Sequence, residues 1–111
     1  MRTVQKPWGH EHWWAVTPAY VAKIIYVHAG QSLSLQYHRQ KLESMYFTAG
    51  YGDLTLGDQT LPIKPGLTVT IEPGTKHRIT AHTDITVFEV STPEVDDVVR
   101  LEDAYGRTTV P

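Results

Sequence analysis

The 111-residue sequence contains no cysteine. Disulfide bonds, thiolate metal ligands and cysteine nucleophiles are therefore excluded, and with them zinc fingers and dithiol redox enzymes. Any metal ion must be held by histidine nitrogen, carboxylate oxygen or amide oxygen. The sequence has 6 histidines and 12 acidic residues that can supply such atoms.

Long runs of one kind of residue are also missing. The 10 basic residues are scattered among 12 acidic ones, the formal net charge is −2, and no basic block could neutralise a row of nucleic-acid phosphates. No stretch approaches the length needed to span a bilayer, and the N-terminus lacks the apolar segment of a signal peptide. We therefore expect a cytoplasmic protein that binds a small molecule rather than nucleic acid or a membrane.

Short alternating runs of apolar and polar residues, separated by glycine and proline, dominate the chain. This pattern is typical of an all-β barrel or sandwich of antiparallel strands. Gly57 and Asp58 suit a tight hairpin because glycine supplies positive φ, and only residues 93–104 resemble a helix. The predicted strands are 20–28, 32–38, 43–48, 53–56, 60–64, 67–71, 77–82 and 85–91.

The length is typical of a single domain, which leaves room for one active or binding site. No internal repeat, linker or low-complexity segment divides the chain. We expect one domain over 1–111, made of an N-terminal arm or strand (1–19), a barrel core (20–91) and a C-terminal segment (92–111).

A cluster of potential metal ligands stands out within this pattern. The two-residue period of a strand places Gln36 and His38 on one face, and Glu43 opens the next strand after a short connection, so the side chains can converge. His77 begins a later strand after a proline-glycine turn. Two imidazoles, one carboxylate and one amide oxygen form a reasonable ligand set for Zn, Mn, Fe, Ni or Co.

Around these residues the sequence resembles the cupin superfamily, whose first motif fits from Gly30 to Gly50. Gln36 stands where most cupins have a first histidine, and this resembles the Gln-x-His arrangement of the phosphomannose isomerase branch. The wider match is to the C-terminal isomerase domain of type II mannose-6-phosphate isomerases. The matching segments are Lys6-Pro7-Trp8-Gly9, Leu33 to His38, Pro73 to Arg78, Asp96 to Arg100 and Asp103 to Arg107.

This resemblance implies a jelly-roll barrel, the double-stranded β-helix, with one divalent metal ion held by Gln36, His38, Glu43 and His77. Zinc is the first expectation, and a homodimer is the expected assembly. The implied activity is aldose-ketose isomerisation of a sugar or sugar phosphate. Two alternatives stay open. One is a metal-dependent enzyme of another class, such as an Fe(II) dioxygenase or a biosynthetic rearrangement enzyme, and the other is a non-catalytic module that binds a small molecule.

Isomerisation also needs a group that moves a proton between adjacent carbons. We select Glu11 and Arg78 as candidate catalytic residues and leave His10, His12 or a metal-bound hydroxide open as the base. A substrate phosphate requires cationic side chains at the barrel mouth. The candidate substrate-binding residues are Arg39, Lys41, Lys76 and Arg107.

Overall fold

The computed structural model describes residues 2–109, which form antiparallel strands and contain no helix. The strands are β1 (Arg2–Lys6), β2 (Gly9–Val16), β3 (Val21–Val27), β4 (Leu35–Tyr37), β5 (Glu43–Ala49), β6 (Gly52–Leu56), β7 (Gln59–Ile63), β8 (Thr68–Ile71), β9 (His77–Ala81), β10 (Ile85–Ser91) and β11 (Val99–Glu102). The all-β prediction is confirmed. Among these residues, no helix exists that is long and apolar enough to cross a membrane.

The predicted helix over residues 93–104 is wrong. This segment forms turns and then β11, which pairs with β4. Val99 is fully buried, so the segment is held by packing and by ladder hydrogen bonds. Tertiary contacts have therefore overridden its weak helical pattern.

The strands form two sheets. The larger has six strands in the order β1-β2-β3-β10-β5-β8, and the smaller has five in the order β11-β4-β9-β6-β7. The predicted hairpin is confirmed, because β6 and β7 pair up to Leu56 and Gln59 with only Gly57 and Asp58 between them. The N-terminal residues expected as an arm or strand supply β1 and β2 at one edge of the larger sheet.

The interior between the sheets changes from polar to apolar along the strands. Directly opposed residues of β5, β10 and β3 point to the same face, so they form rows across the larger sheet. One row is Met45–Glu89–Lys23, and the next is Phe47–Val87–Ile25. The first row places charges inside the protein, and the second belongs to the hydrophobic core.

The hydrophobic core fills the apolar part of the interior. Its largest fully buried side chains include Phe47, Leu54 and Ile79. The remaining core residues are Trp8, Ile25, Val27, Met45, Ile63, Ile71, Ala81, Ile85 and Val87. The core thus supports one end of the interior and leaves a polar cavity at the other.

Gly50 directly follows β5, where the chain turns towards β6. Its φ is 93°, and a Cβ atom built there would lie 2.0 Å from the carbonyl oxygen of Asp84. Gly66 has a similar φ of 98°, but a Cβ atom there would meet nothing within 4 Å. Replacing Gly66 by alanine therefore costs only the strain of a left-handed backbone, whereas replacing Gly50 adds a steric clash.

We predict that Gly50→Ala destabilises the protein far more than Gly66→Ala. The Gly66 variant should lose about 1–2 kcal/mol, the cost of a left-handed conformation in a residue with a Cβ. The Gly50 variant should lose at least about 3 kcal/mol, because the backbone must also move away from Asp84. Urea unfolding measures both values, and equal losses would contradict the close approach.

Candidate metal centre

Three side chains converge at the polar end of the interior. His38 follows β4, Glu43 is the first residue of β5, and His77 is the first residue of β9. The Nε2 atoms of His38 and His77 lie 3.3 Å and 3.0 Å from Glu43 Oε1. One ligand atom from each of the three residues lies within 4.8 Å of the others. The predicted convergence of these three residues is therefore present in the structure.

The three converging atoms are buried. The residues are 4%, 2% and 3% exposed for His38, Glu43 and His77, respectively. Among the residues that the structure describes, neither Nε2 atom nor Glu43 Oε1 has a hydrogen-bond partner of acceptable geometry. Leaving buried polar atoms unsatisfied is costly, so this arrangement favours a ligand that all three can contact.

The other ring nitrogens show what kind of ligand fits. His38 Nδ1 donates to the backbone carbonyl of Asp97, and His77 Nδ1 donates to that of Thr75 at 2.9 Å. Because a carbonyl oxygen only accepts, each Nδ1 carries the proton. With Nδ1 donating in this way, the neutral tautomer of each ring has its lone pair on Nε2, where a metal ion can bind. Such hydrogen bonds from Nδ1 are typical of histidine ligands to metals.

Glu43 remains ionised despite its burial. Burial alone would raise its pKa, but contacts with His38 and His77 and the charge of Lys41 hold the pKa well below its ordinary value. Lys41 Nζ lies 3.1 Å from Glu43 Oε2. Oε1 therefore faces the histidines while Oε2 is bound by an ammonium group, and the site keeps the negative charge that attracts a dication.

A second carboxyl group, that of Glu89, lies beside Glu43, and its pKa shifts in the opposite direction. Burial and the negative charge of Glu43 raise the pKa of Glu89 to about 8. Two neighbouring carboxylates in a buried site resist ionising together. Near neutral pH, Glu43 therefore carries the charge and Glu89 holds a proton.

Gln36 lines the same cavity as His38 and His77. Its Cα partner on β9 is His77, so their side chains share a face of the smaller sheet. Gln36 Oε1 accepts a hydrogen bond of 2.6 Å from Ser34 Oγ, which orients the amide. Its role as a fourth ligand stays a prediction.

The loop that connects the first two ligands is held by Asp97. The Asp97 carboxylate accepts backbone hydrogen bonds from Arg39, Gln40 and Lys41, at 3.0, 2.7 and 3.0 Å. Burial would raise the pKa of Asp97, but these three donors outweigh it and hold the pKa below its ordinary value. The backbone carbonyl of Asp97 also accepts the hydrogen bond from His38 Nδ1, so this residue fixes both the loop and the imidazole.

The structure brings some of the other predicted residues to the cavity. Glu11, Lys41, Arg78 and Arg107 line it. Arg39 and Lys76 are exposed and lie outside the lining. Their predicted roles in substrate binding stay predictions, but the geometry does not support them.

Arg78 and Arg107 are both anchored by protein groups. Arg78 Nε donates to the Leu33 carbonyl at 3.1 Å, and its guanidinium also contacts Glu102. Arg107 donates from Nε and Nη2 to the two carboxylate oxygens of Asp103, at 2.8 and 3.1 Å. Each guanidinium is therefore pre-positioned at the edge of the cavity.

Of the other candidate bases, neither His10 nor His12 lines the cavity. They alternate with Glu11 along β2, so they lie on the opposite face of the larger sheet. His10 stacks on Tyr26 with ring centroids 4.7 Å apart, and His12 Nδ1 hydrogen-bonds Thr3 Oγ1 at 2.8 Å. The geometry therefore favours Glu11 over these histidines as a group that meets substrate.

Four charged residues of the cavity were missed in the sequence: Lys6, Lys23, Glu89 and Arg100. A signal was present for two of them. Lys23 and Glu89 occupy the buried phase of otherwise apolar strands, and buried charges of this kind point to a polar interior. Lys6 and Arg100 carry no such signal, because their approach to the cavity depends on how β1 and β11 are placed at the edges of the two sheets.

Two antiparallel sheets packed around a buried His-Glu-His group define a cupin, the double-stranded β-helix. Residues 1–103 match the family described as "Mannose-6-phosphate isomerase C-terminal", and the chain belongs to this family. The resemblance inferred from the motifs is thereby confirmed.

Curated relatives agree with the family. The chain is 32% identical to the xanthan biosynthesis protein XanB of Xanthomonas campestris pv. campestris over 96% of its own length and 24% of the relative. It is also 32% identical to the mannose-1-phosphate guanylyltransferase ManC of Salmonella typhimurium, over 96% of the chain and 23% of the relative. The chain therefore spans about a quarter of the length of these relatives.

Solved structures confirm the fold. Ectoine synthase from P. lautus superposes with a TM-score of 0.78 at 17% identity, covering 97% of this chain and 86% of that protein. At this identity the similarity concerns the fold alone.

We predict that Asp97→Ala destabilises the protein by about 1–2 kcal/mol, the usual cost of losing a carboxylate that caps backbone N–H groups. Asp96→Ala is the matched control, because Asp96 is exposed, and it should change stability by less than about 0.5 kcal/mol. The contribution of Asp97 is complete above its ordinary pKa of about 4 and is lost as the pH falls through its lower folded-state pKa. Urea unfolding at several pH values tests this, and a difference that grows in acid would contradict it.

Proposed function

We propose that this chain is a metal-dependent isomerase that acts on a sugar or sugar phosphate. The observation that carries the proposal is the buried group of His38, Glu43 and His77, whose converging atoms make no hydrogen bond of acceptable geometry within residues 2–109. Membership of the mannose-6-phosphate isomerase C-terminal family supports the reaction class. The relatives named for xanthan biosynthesis and mannose-1-phosphate guanylyl transfer support a sugar phosphate as the substrate class.

His38, Glu43 and His77 would hold the metal ion, with Gln36 as the fourth ligand. Zinc suits this mixed nitrogen and oxygen set, and Mn, Fe, Ni and Co are compatible with it. The bound cation would polarise the substrate carbonyl as a Lewis acid. The Nδ1 hydrogen bonds to Asp97 and Thr75 would fix the orientation of both imidazoles.

Glu11 is the proposed proton carrier. It is 6% exposed and lines the cavity with the metal-site histidines. Trp13 Nε1 donates to Glu11 Oε1 at 2.9 Å, and Lys23 Nζ lies 3.6 Å from the same oxygen. Oε2 would accept the substrate proton and return it to the adjacent carbon, and Arg78 would bind a substrate oxygen at the cavity edge.

The proposal predicts that the purified protein converts mannose 6-phosphate into a ketose phosphate, which NMR in deuterated water detects together with any proton exchange. His77→Ala should lose both metal and turnover. Gln36→His should keep the metal, because imidazole can replace an amide oxygen. Glu11→Gln should keep the metal and lose about 10²- to 10⁴-fold in rate, the usual contribution of a general base.

His82→Ala is the matched control, because the His82 side chain is 59% exposed and pairs with Asp53. It should behave as wild type. If the metal-loaded wild-type protein binds aldose phosphates but forms no ketose from any of them, the isomerase proposal is wrong and the chain is a binding module.

A second function is favoured by one observation. His38, His77 and Glu43 are also the two-histidine, one-carboxylate set that suits Fe(II) and dioxygen chemistry. The two functions differ in their need for oxygen. Isomerisation proceeds unchanged under anaerobic conditions, whereas turnover that stops without dioxygen would favour the second function.

The expected homodimer has a candidate interface on the outer face of the larger sheet. The outward residues of β5, β8 and β10 carry no charge: Ser44, Tyr46, Thr48, Thr68, Thr70, Thr86, Phe88 and Val90. Tyr46, Phe88 and Val90 are 51%, 41% and 50% exposed. A second copy can meet this face without burying an unpaired charge, so we assign the face to the dimer contact.

Light scattering after size exclusion tests this assignment. Wild type should be a dimer, and Phe88→Lys should shift it to monomer, since the new charge would lie inside the contact. Tyr51→Lys is the control, because Tyr51 is 57% exposed but lies in the turn between β5 and β6. A monomeric wild type, or a dimer that both substitutions leave intact, would exclude this interface.

A further inference from the structure

The cavity beside the metal centre carries an excess of positive charge. Six basic side chains line it, against two acidic ones. The basic residues are Lys6, Lys23, Lys41, Arg78, Arg100 and Arg107, and the acidic ones are Glu11 and Glu89. Such an excess in a partly buried space is unfavourable unless an anion enters it.

Four of the six cations have carboxylate partners. Lys23 lies within 4 Å of Glu11 and Glu89, and Lys41 lies within 4 Å of Glu43 and Glu89. Arg78 pairs with Glu102, and Arg107 pairs with Asp103. The positive charge of these four is therefore balanced locally.

Lys6 and Arg100 are different. Within residues 2–109, neither makes an ion pair with a carboxylate. Arg100 Nε is buried, and no atom of the described part of the chain is its hydrogen-bond partner. These two residues thus present unused donors and uncompensated charge to the cavity.

The two unpaired cations and Arg107 lie close enough to repel one another. Burial and the charges of Lys23, Arg100 and Arg107 lower the pKa of Lys6, even though Glu11 opposes this shift. Burial and Arg107 lower the pKa of Arg100. Mutual repulsion of this kind is relieved by a ligand with more than one negative charge.

The strand register places Arg100 next to the metal centre. Arg100 is the Cα partner of Gln36 on β4, and Gln36 is the partner of His77 on β9. The three residues form one row on one face of the smaller sheet. Two strand spacings, about 10 Å, separate the backbones of Arg100 and His77, so a small molecule can reach from one to the other.

We propose that Lys6 and Arg100, together with Arg107, bind the phosphate dianion of the substrate. This proposal rests on the proposed isomerase function and names the end of the substrate opposite the metal. Asp103 is a positioning residue, because it holds the Arg107 guanidinium through both of its oxygens. Lys6 belongs to β1 and Arg100 to β11, so the phosphate would also connect the edges of the two sheets.

Isothermal titration of the metal-loaded protein tests the site with three probes: inorganic phosphate, mannose 6-phosphate and mannose. Wild type should bind mannose 6-phosphate more tightly than inorganic phosphate or mannose. Lys6→Gln and Arg100→Gln should each weaken both phosphate-containing probes by about 10- to 100-fold, the loss of a charge-assisted contact. Mannose binding and metal content should not change.

Lys64→Gln is the control, because Lys64 is an exposed cation outside the cavity, and it should bind all probes as wild type does. Arg100→Lys should keep part of the phosphate affinity, since it retains the charge but loses the fork of donors. Circular dichroism of each variant confirms folding.

The outcomes separate this proposal from the isomerase function. If Lys6→Gln and Arg100→Gln bind both phosphate-containing probes as wild type does, the assignment of the phosphate site to these residues is wrong, even if the wild-type protein is an isomerase. If inorganic phosphate binds as tightly as mannose 6-phosphate, the assignment to a substrate phosphate is wrong. If the variants lose phosphate binding but the wild-type protein forms no ketose, the phosphate site is supported and the isomerase function is excluded.

Discussion

The arrangement of the polar cavity depends on one buried carboxylate, that of Glu43. Glu43 is 2% exposed, its Oε1 faces two imidazole Nε2 atoms, and its Oε2 faces the ammonium group of Lys41. A buried charge of this kind persists only when opposite charges and hydrogen bonds compensate it. Within residues 2–109, Oε1 has no hydrogen-bond partner of acceptable geometry. A divalent cation held by all three side chains would complete the balance.

The charges around Glu43 extend this balance across the larger sheet. Glu43 and Lys41 form one close ion pair, at 3.1 Å, and Glu11 and Lys23 form another, at 3.6 Å. The protonated carboxyl of Glu89 lies between the two pairs, 3.8 and 3.9 Å from the ammonium groups. Removing one partner of a buried ion pair leaves the other unpaired, which is far costlier than replacing both. These contacts therefore hold the cavity walls in one arrangement and orient Glu11.

Sequence patterns predicted the all-β class and the convergence of His38 and Glu43, because both depend on local order. The alternation in β5 and β10 and the spacing from His38 to Glu43 are visible without a structure. Lys6 and Arg100 could not be found in this way. Their proximity depends on how β1 and β11 close the two sheets, which no short-range pattern records. Asp97 was likewise visible only as part of a motif, because its hydrogen bonds to the ligand loop join residues more than 50 positions apart in the sequence.

Elemental analysis of the purified protein shows whether His38, Glu43 and His77 hold a metal ion. We expect one equivalent of a divalent metal per chain, lost on His77→Ala and kept on His82→Ala. Wild-type protein that carries no metal, and takes none up when titrated with zinc, manganese, iron, nickel or cobalt, would contradict it.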